Sequence, residues 1–232
     1  AGDCAVFCWR RVAPPVWDDH LNPHETHKGG QPMSAILDSI RNTVIAGFVL
    51  TVVLLAMYLN WGGVIDHAFG TFIFRWLHVI SGVMWIGLLW YFNFVQIPNM
   101  GKIPDEQKPA ISKVIAPEAL FWFRWGAMAT IVTGIILAAM NGYLVDAFTL
   151  GAANGFAVEK NIAIGIGMWL GIIMWFNVWF IIWPNQKIAL GMVEADAGAK
   201  AKAAGTAKTF SRTNTLLSIP MLFAMVSAQN LY

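Results

Sequence analysis

The stretch RWLHVISGVMWIGLLWYFNF, which runs from Arg75 to Phe94, decides the class of this protein. Beyond its first turn nearly every residue is apolar, and a helix of about 20 such residues crosses a hydrocarbon layer of about 30 Å. The exceptions are Arg75 and His78, which lie near one end, where a polar side chain can reach the bilayer surface. The stretch therefore predicts a transmembrane helix that carries two polar residues.

The composition of the whole chain indicates the same class. Of its 232 residues 57% are hydrophobic and 12% are charged, and the mean hydropathy is +0.58. An ordinary soluble domain is less apolar. The net charge is only +2 and the basic residues are spread over several loops, which argues against a nucleic-acid partner. We predict an all-α, polytopic transmembrane helix bundle in a bacterial inner membrane.

Residues 1–32 differ from the rest of the chain because they are polar and contain both cysteines. The spacing of Cys4, Cys8 and the following histidines fits no common zinc finger. The codons of Lys28-Gly29-Gly30 can form a purine-rich run that resembles a ribosome-binding site. We therefore interpret 1–32 as a polar leader that is not part of the native protein, and 33–232 as a single transmembrane domain.

Apolar runs divide this domain into about five spans. The predicted spans are 43–59, 72–95, 120–140, 162–183 and 215–228. One set of loops and helix ends carries Arg41, Lys102, Lys108, Lys113, Lys187, Lys200, Lys202, Lys208 and Arg212, whereas the opposite loops offer only Lys160. Because basic residues favour the cytoplasmic side, we predict a cytoplasmic N-terminus and a C-terminus outside.

Two of the predicted spans have similar sequences. MWIGLLWYFNFVQI, from Met84, and MWLGIIMWFNVWFI, from Met168, align without a gap. One interpretation is a parallel repeat of two helical hairpins, and the other is a chance likeness between aromatic-rich spans. In a repeat, Asn93 and Asn177 are equivalent and buried, and we take both amides as candidate substrate-binding groups.

Small residues recur at every fourth position in two of the spans. Such stripes let helix backbones approach closely and predict packing against other membrane helices or in a homo-oligomer. The stripes are Gly126, Thr130, Gly134 and Ala138 in one span, and Ala163, Gly167 and Gly171 in the next.

His78 is the candidate cofactor ligand. It shares a helix face with Ser81, Gly82 and Trp85, and a small-residue gap beside a histidine can admit a flat macrocycle. The hypothesis is an axial ligand of haem b, with Arg75 beside it as a second haem-binding residue. The alternative is a neutral histidine that is hydrogen-bonded to a neighbouring helix.

Arg124 is the candidate anion-binding residue. It lies between Trp122 and Trp125, six residues after Glu118. It could hold an anionic substrate, or it could stack on tryptophan and pair with Glu118 or a lipid phosphate. No Asp or Glu falls within a predicted span, which argues against a proton or cation pump.

Several blocks of the sequence resemble a known family. The blocks RWLHVISGVMWIGLLWYFNF, APEALFWFRWGAMATIVTG, NVWFIIWPNQK and SRTNTLLSIPMLFAMVS are similar to the membrane domain of the membrane-bound urate hydroxylase (urate oxidase N-terminal domain) family. The resemblance runs from about Phe72 to Ser227. It implies a multi-helix membrane domain, oxidation of urate, and transfer of electrons to a respiratory chain through a C-terminal cytochrome c. It also places His78 and 177–186 on family-typical positions.

The chain departs from this family in three places. It has no CxxCH motif, so we expect no covalent haem c, and we expect a separate cytochrome c to take the electrons if the protein is an oxidoreductase. The family tends to carry histidines where this chain has Thr213 and Gln229-Asn230. Three hypotheses stay open: a urate or purine oxidoreductase, a non-catalytic subunit of a respiratory or other membrane complex, and a small-solute carrier.

Overall fold

A computed structural model describes residues 36–232, and this part of the chain is helical and contains no strand. Residues 1–32, which the sequence analysis interprets as a leader, lie outside the described residues together with both cysteines. Contacts divide the chain between Val64 and Ile65, and each of the two units is described by itself. The predicted all-α bundle is confirmed.

The N-terminal unit contains helix α1, Ile40–Asn60. Ser39 stands at its N-cap, and the chain leaves the helix through Gly62, whose φ of 88° lies in the left-handed region that favours glycine. Its 21 residues are long enough and apolar enough to cross a membrane.

The second unit contains five further helices. They are α2 (His67–Lys102), α3 (Lys108–Met140), α4 (Leu144–Phe148), α5 (Glu159–Ala189) and α6 (Ala197–Asn230). Within residues 36–232 four helices, α1, α2, α3 and α5, are long and apolar enough to span a membrane. The fifth predicted span, 215–228, is helical but lies in α6, which is not among these four.

Three helices contain a π-helical stretch, in which one extra residue widens the turn. The stretches are Tyr91–Gln96, Ile111–Ile115 and Asn177–Ile182, and they are followed by Pro98, Pro117 and Pro184. Proline has no N–H, and its ring crowds the carbonyl group four residues earlier. A widened turn relieves this crowding, so α2, α3 and α5 continue past their prolines.

The second unit is built from two antiparallel hairpins. Helix α2 packs most extensively against α3, and α5 packs most extensively against α6. Both hairpins contribute to one core, whose least exposed members include Trp85, Leu89, Phe123, Met174 and Val178. This agrees with the predicted pair of hairpins, whereas the parallel symmetry between them stays a prediction.

The predicted small-residue stripes lie at these helix contacts. A methyl group added to Gly126 would lie 3.3 Å from the backbone nitrogen of Trp85 on α2. One added to Gly167 of α5 would lie 3.2 Å from the side chain of Met225 on α6. Gly171 is buried but has open space beside it. The stripe of α3 is thus confirmed as a packing face, and on α5 the same holds at Gly167 but not at Gly171.

Candidate functional site

A polar cavity of about 320 Å³ lies where α2 and α5 begin and α3 and α6 end. Its lining residues are Arg75, Asn141, Gly142, Tyr143, Lys160, Asn161 and Gln229. We call it the Arg75–Lys160 cavity. It is lined by two cations and several amide groups, and no carboxylate is among the lining residues.

The turn after α3 shapes one wall of this cavity. Gly142 has a φ of 76°, and the N–H groups of Gly142 and Tyr143 donate back to the carbonyl oxygens of Ala139 and Ala138 at 3.0 and 3.2 Å. This is a glycine helix cap, in which the left-handed residue reverses the chain. It brings Asn141 and Tyr143 together in the lining of the cavity.

The start of α5 forms the opposite wall. The side-chain amide of Asn161 donates to Asp146 Oδ2 at 3.1 Å, and this oxygen also accepts from Asn154 at 3.3 Å. Asp146 therefore fixes the loop that precedes α5. Lys160 and Asn161 lie in the first turn of the helix, next to Glu159, where the positive end of the helix dipole favours an anion.

Every ionisable group that lines the cavity acts as a donor at neutral pH. Burial raises the pKa of the Tyr143 phenol, and the positive charge of Arg75 acts in the opposite direction. A raised phenol pKa keeps the hydroxyl protonated, so it joins the guanidinium and the ammonium group as a donor. The arrangement is suited to a small anion that has several hydrogen-bond acceptors.

Of the residues predicted from the sequence, Arg75 lines this cavity and His78 does not. Nδ1 of His78 lies 2.9 Å from the carbonyl oxygen of Thr130 on α3. A methyl group added to Gly134 would lie 2.9 Å from Cε1 of the ring. The histidine is thus hydrogen-bonded to a neighbouring helix, as the alternative interpretation predicted.

This contact bears directly on the haem hypothesis. A carbonyl oxygen can only accept, so Nδ1 carries a proton, and in the neutral ring Nε2 keeps its lone pair. A histidine that ligates a metal uses this same arrangement, with its second nitrogen bonded to a carbonyl group. The tautomer of His78 therefore fits an axial ligand. The ring, however, packs between α2 and α3, and it lines neither of the two described cavities.

Arg124 lies at the opposite end of the bundle from the Arg75–Lys160 cavity. It is 7% exposed, and its guanidinium carbon lies 3.4 Å from the centre of the Trp183 ring. Glu118 accepts a hydrogen bond from Trp122 at 3.1 Å. Arg124 stacks on tryptophan as predicted, but the ring is that of Trp183 on α5 and not of the flanking Trp122 or Trp125. Within residues 36–232 no carboxylate forms an ion pair with Arg124, so the predicted pair with Glu118 is not formed.

Asn93 and Asn177 hold helices together instead of lining the Arg75–Lys160 cavity. The amide nitrogen of Asn177 donates to Asn214 Oδ1 at 2.8 Å, and that of Asn93 donates to Ser211 Oγ at 2.7 Å. Both acceptors lie on α6, and Trp90 donates to Ser218 one turn further along that helix. The sequence analysis missed this polar strip, although Ser211, Asn214 and Ser218 recur at helical spacing.

The fold and the cavity together define a polytopic helical membrane protein with a polar, cationic pocket at one end of its bundle. The profile of the family described as urate oxidase N-terminal matches residues 139–231. The resemblance inferred from the sequence is confirmed over this part of the chain. The matched part contains α4, α5 and α6 and every lining residue of the Arg75–Lys160 cavity except Arg75. Comparison with curated proteins and with solved structures gave no significant match.

Proposed function

We propose that the protein is a urate hydroxylase-like membrane oxidoreductase that binds urate, or a closely related purine anion, in the Arg75–Lys160 cavity. One observation carries the proposal. The part of the chain that matches the urate oxidase N-terminal family supplies nearly all of a cavity whose chemistry suits a small anion.

The lining groups match the chemistry of urate. At neutral pH urate is a flat monoanion whose rim alternates carbonyl oxygens with ring nitrogens. The guanidinium of Arg75 can bind such a rim through two parallel N–H groups, and the ammonium of Lys160 can neutralise the charge. Amides such as Asn141 and Gln229 can accept from ring N–H groups as well as donate to carbonyl oxygens. A volume of about 320 Å³ is ample for one purine.

Oxidation of urate by hydroxylation requires an acceptor. When water adds its oxygen to urate, two electrons and two protons leave the substrate. We infer that a cytochrome c takes the electrons one at a time, because residues 1–232 contain no CxxCH motif that could bind a haem c covalently. The cavity lies at the end of the bundle that the distribution of basic residues predicts to be outside, so a periplasmic cytochrome c could dock there. If haem b binds, it would supply electron transfer and His78 would hold it through Nε2.

A second candidate is a non-catalytic subunit that binds a purine without oxidising it. It is favoured by Gln229, which lines the cavity near the place where the family tends to carry a histidine after its final span. An amide can orient a substrate, but it cannot exchange a proton near neutral pH as an imidazole does.

The test is urate-dependent reduction of added cytochrome c by the purified protein in detergent. We expect reduction that depends on both urate and the cytochrome and that is weakened in Lys160→Gln. Lys187→Gln is the matched control, because Lys187 lies at the other end of the same helix. Saturable urate binding without cytochrome reduction would favour the non-catalytic subunit. Failure to bind urate would refute both candidates.

A further inference from the structure

Arg124 is a buried cation whose ion-pair partner is missing from the described part of the chain. Its side chain is more than nine-tenths buried, and only its Nε is bonded within its own helix, to the carbonyl oxygen of Leu120 at 3.1 Å. A buried charge in an apolar surrounding is costly unless an opposite charge compensates it. Stacking on Trp183 offsets part of this cost, but it leaves the outer N–H groups of the guanidinium without an anion.

A second unpaired donor lies beside this guanidinium. The indole Nε1 of Trp179 is buried and has no acceptor within residues 36–232. The ring of Trp179 lies 5.7 Å from the guanidinium carbon of Arg124. A buried donor without a partner costs free energy comparable to a lost hydrogen bond. An unpaired indole N–H beside the guanidinium indicates an acceptor that residues 36–232 do not supply.

Lys187 adds a second positive charge to the group. Trp179, Trp183 and Lys187 follow one another at every fourth position of α5, and the ammonium nitrogen of Lys187 lies 5.7 Å from the Trp183 ring. The guanidinium of Arg124 and the ammonium of Lys187 thus both lie near the Trp183 ring, and the Trp179 indole lies beside the same guanidinium. The guanidinium, the ammonium and the indole N–H are all hydrogen-bond donors and none of them accepts, so together they suit the oxygens of a phosphate group.

We propose that Arg124, Trp179 and Lys187 bind the phosphate group of an anionic phospholipid. Trp183 and Lys187 lie where the apolar segment of α5 ends, which is the depth at which tryptophan and lysine meet lipid headgroups. Trp125 and Phe180, which flank the group on α3 and α5, are exposed and apolar. They provide a surface along which acyl chains can lie. A lipid therefore fits the surroundings better than free phosphate does.

The test is native mass spectrometry of the delipidated full chain, titrated with phosphatidylglycerol. Arg124→Gln should weaken binding of the lipid about tenfold or more, which is the order expected for loss of a charge-assisted hydrogen bond. Arg124→Lys should retain more binding than Arg124→Gln because it keeps the charge. Lys160→Gln, at the other end of α5, should bind as the wild type does.

Two milder variants cover the case in which Arg124→Gln does not fold. Trp179→Phe removes only the indole N–H, and Lys187→Gln removes only the ammonium; each should weaken binding several-fold. Equal affinity of these variants and Lys160→Gln for phosphatidylglycerol would overturn the proposal. Displacement of the lipid by millimolar inorganic phosphate, with the same dependence on Arg124, would overturn the assignment to a lipid.

Discussion

Asn214 of α6 gives the most informative stability prediction. Its side chain is fully buried; its Oδ1 accepts from Asn177 at 2.8 Å, and its Nδ2 donates to the carbonyl oxygen of Met174 at 2.9 Å. Both bonds cross from α6 to α5. Replacement by alanine removes both of them and leaves the amide of Asn177 without an acceptor in the apolar core.

The expected cost follows from these contacts. Hydrogen bonds between membrane helices contribute about 0.6 kcal/mol each on average, and a buried donor left unpaired costs about 1–3 kcal/mol. Asn214→Ala should therefore lower the free energy of unfolding by about 2–4 kcal/mol. In a double-mutant cycle with Asn177→Ala, the coupling energy should be about 1–3 kcal/mol, because the double variant no longer contains the unpaired amide that Asn214→Ala leaves behind.

The assay is unfolding in mixed micelles with increasing sodium dodecyl sulfate, followed by far-ultraviolet circular dichroism. Thr213→Ala is the matched control, because Thr213 is exposed on the same helix and its hydroxyl bonds only to the carbonyl oxygen of Thr209. That variant should differ from wild type by less than about 0.5 kcal/mol. If Asn214→Ala were no more destabilising than Thr213→Ala, the role assigned to the polar strip would be wrong.

Three further predictions follow. Gly134→Ala should lower the free energy of unfolding by about 1–3 kcal/mol in the same assay, because the added methyl group would press on the His78 ring at the α2–α3 contact. Gly82→Ala is the control and should leave the stability unchanged, because nothing lies within 4 Å of the added methyl group. A cysteine at Ser112 or Thr206 should resist an impermeant thiol reagent added outside intact cells, and labelling from outside would reverse the predicted orientation. If the purified protein shows a haem spectrum, His78→Ala should abolish it, and a spectrum that survives would remove His78 as the ligand.

The helix contacts were largely predictable from the sequence. Gly126 and Gly134 predict a close approach of two helices, because small residues at every fourth position form a groove. The sequence predicts that Arg124 stacks on tryptophan, since a cation in an apolar span has few other partners, but it does not predict that the ring is that of Trp183 on α5. Helix α6 was harder, because its first half is polar and lysine-rich and hides the continuous helix that Asp196 caps.

The Arg75–Lys160 cavity could not be predicted from the sequence. Its residues are far apart in the chain, and they meet only because α3 ends at the Gly142 turn and α5 begins nearby. Such helix ends depend on local turn geometry, which periodicity does not reveal. The sequence pointed to this cavity only through Lys160, the one basic residue that was predicted to lie in the outer loops.

The measurement that tests the central claim most directly is binding of urate to the purified protein in detergent. Binding is measured by equilibrium dialysis, and the urate concentration is determined from its absorbance. Wild type should bind urate saturably and more tightly than hypoxanthine, which is neutral at pH 7. Lys160→Gln should weaken urate binding about tenfold, as expected for a lost charge-assisted hydrogen bond, while Lys187→Gln should leave it unchanged. Equal affinity of these two variants, or no saturable binding by wild type, would contradict the assignment of the Arg75–Lys160 cavity as the urate site.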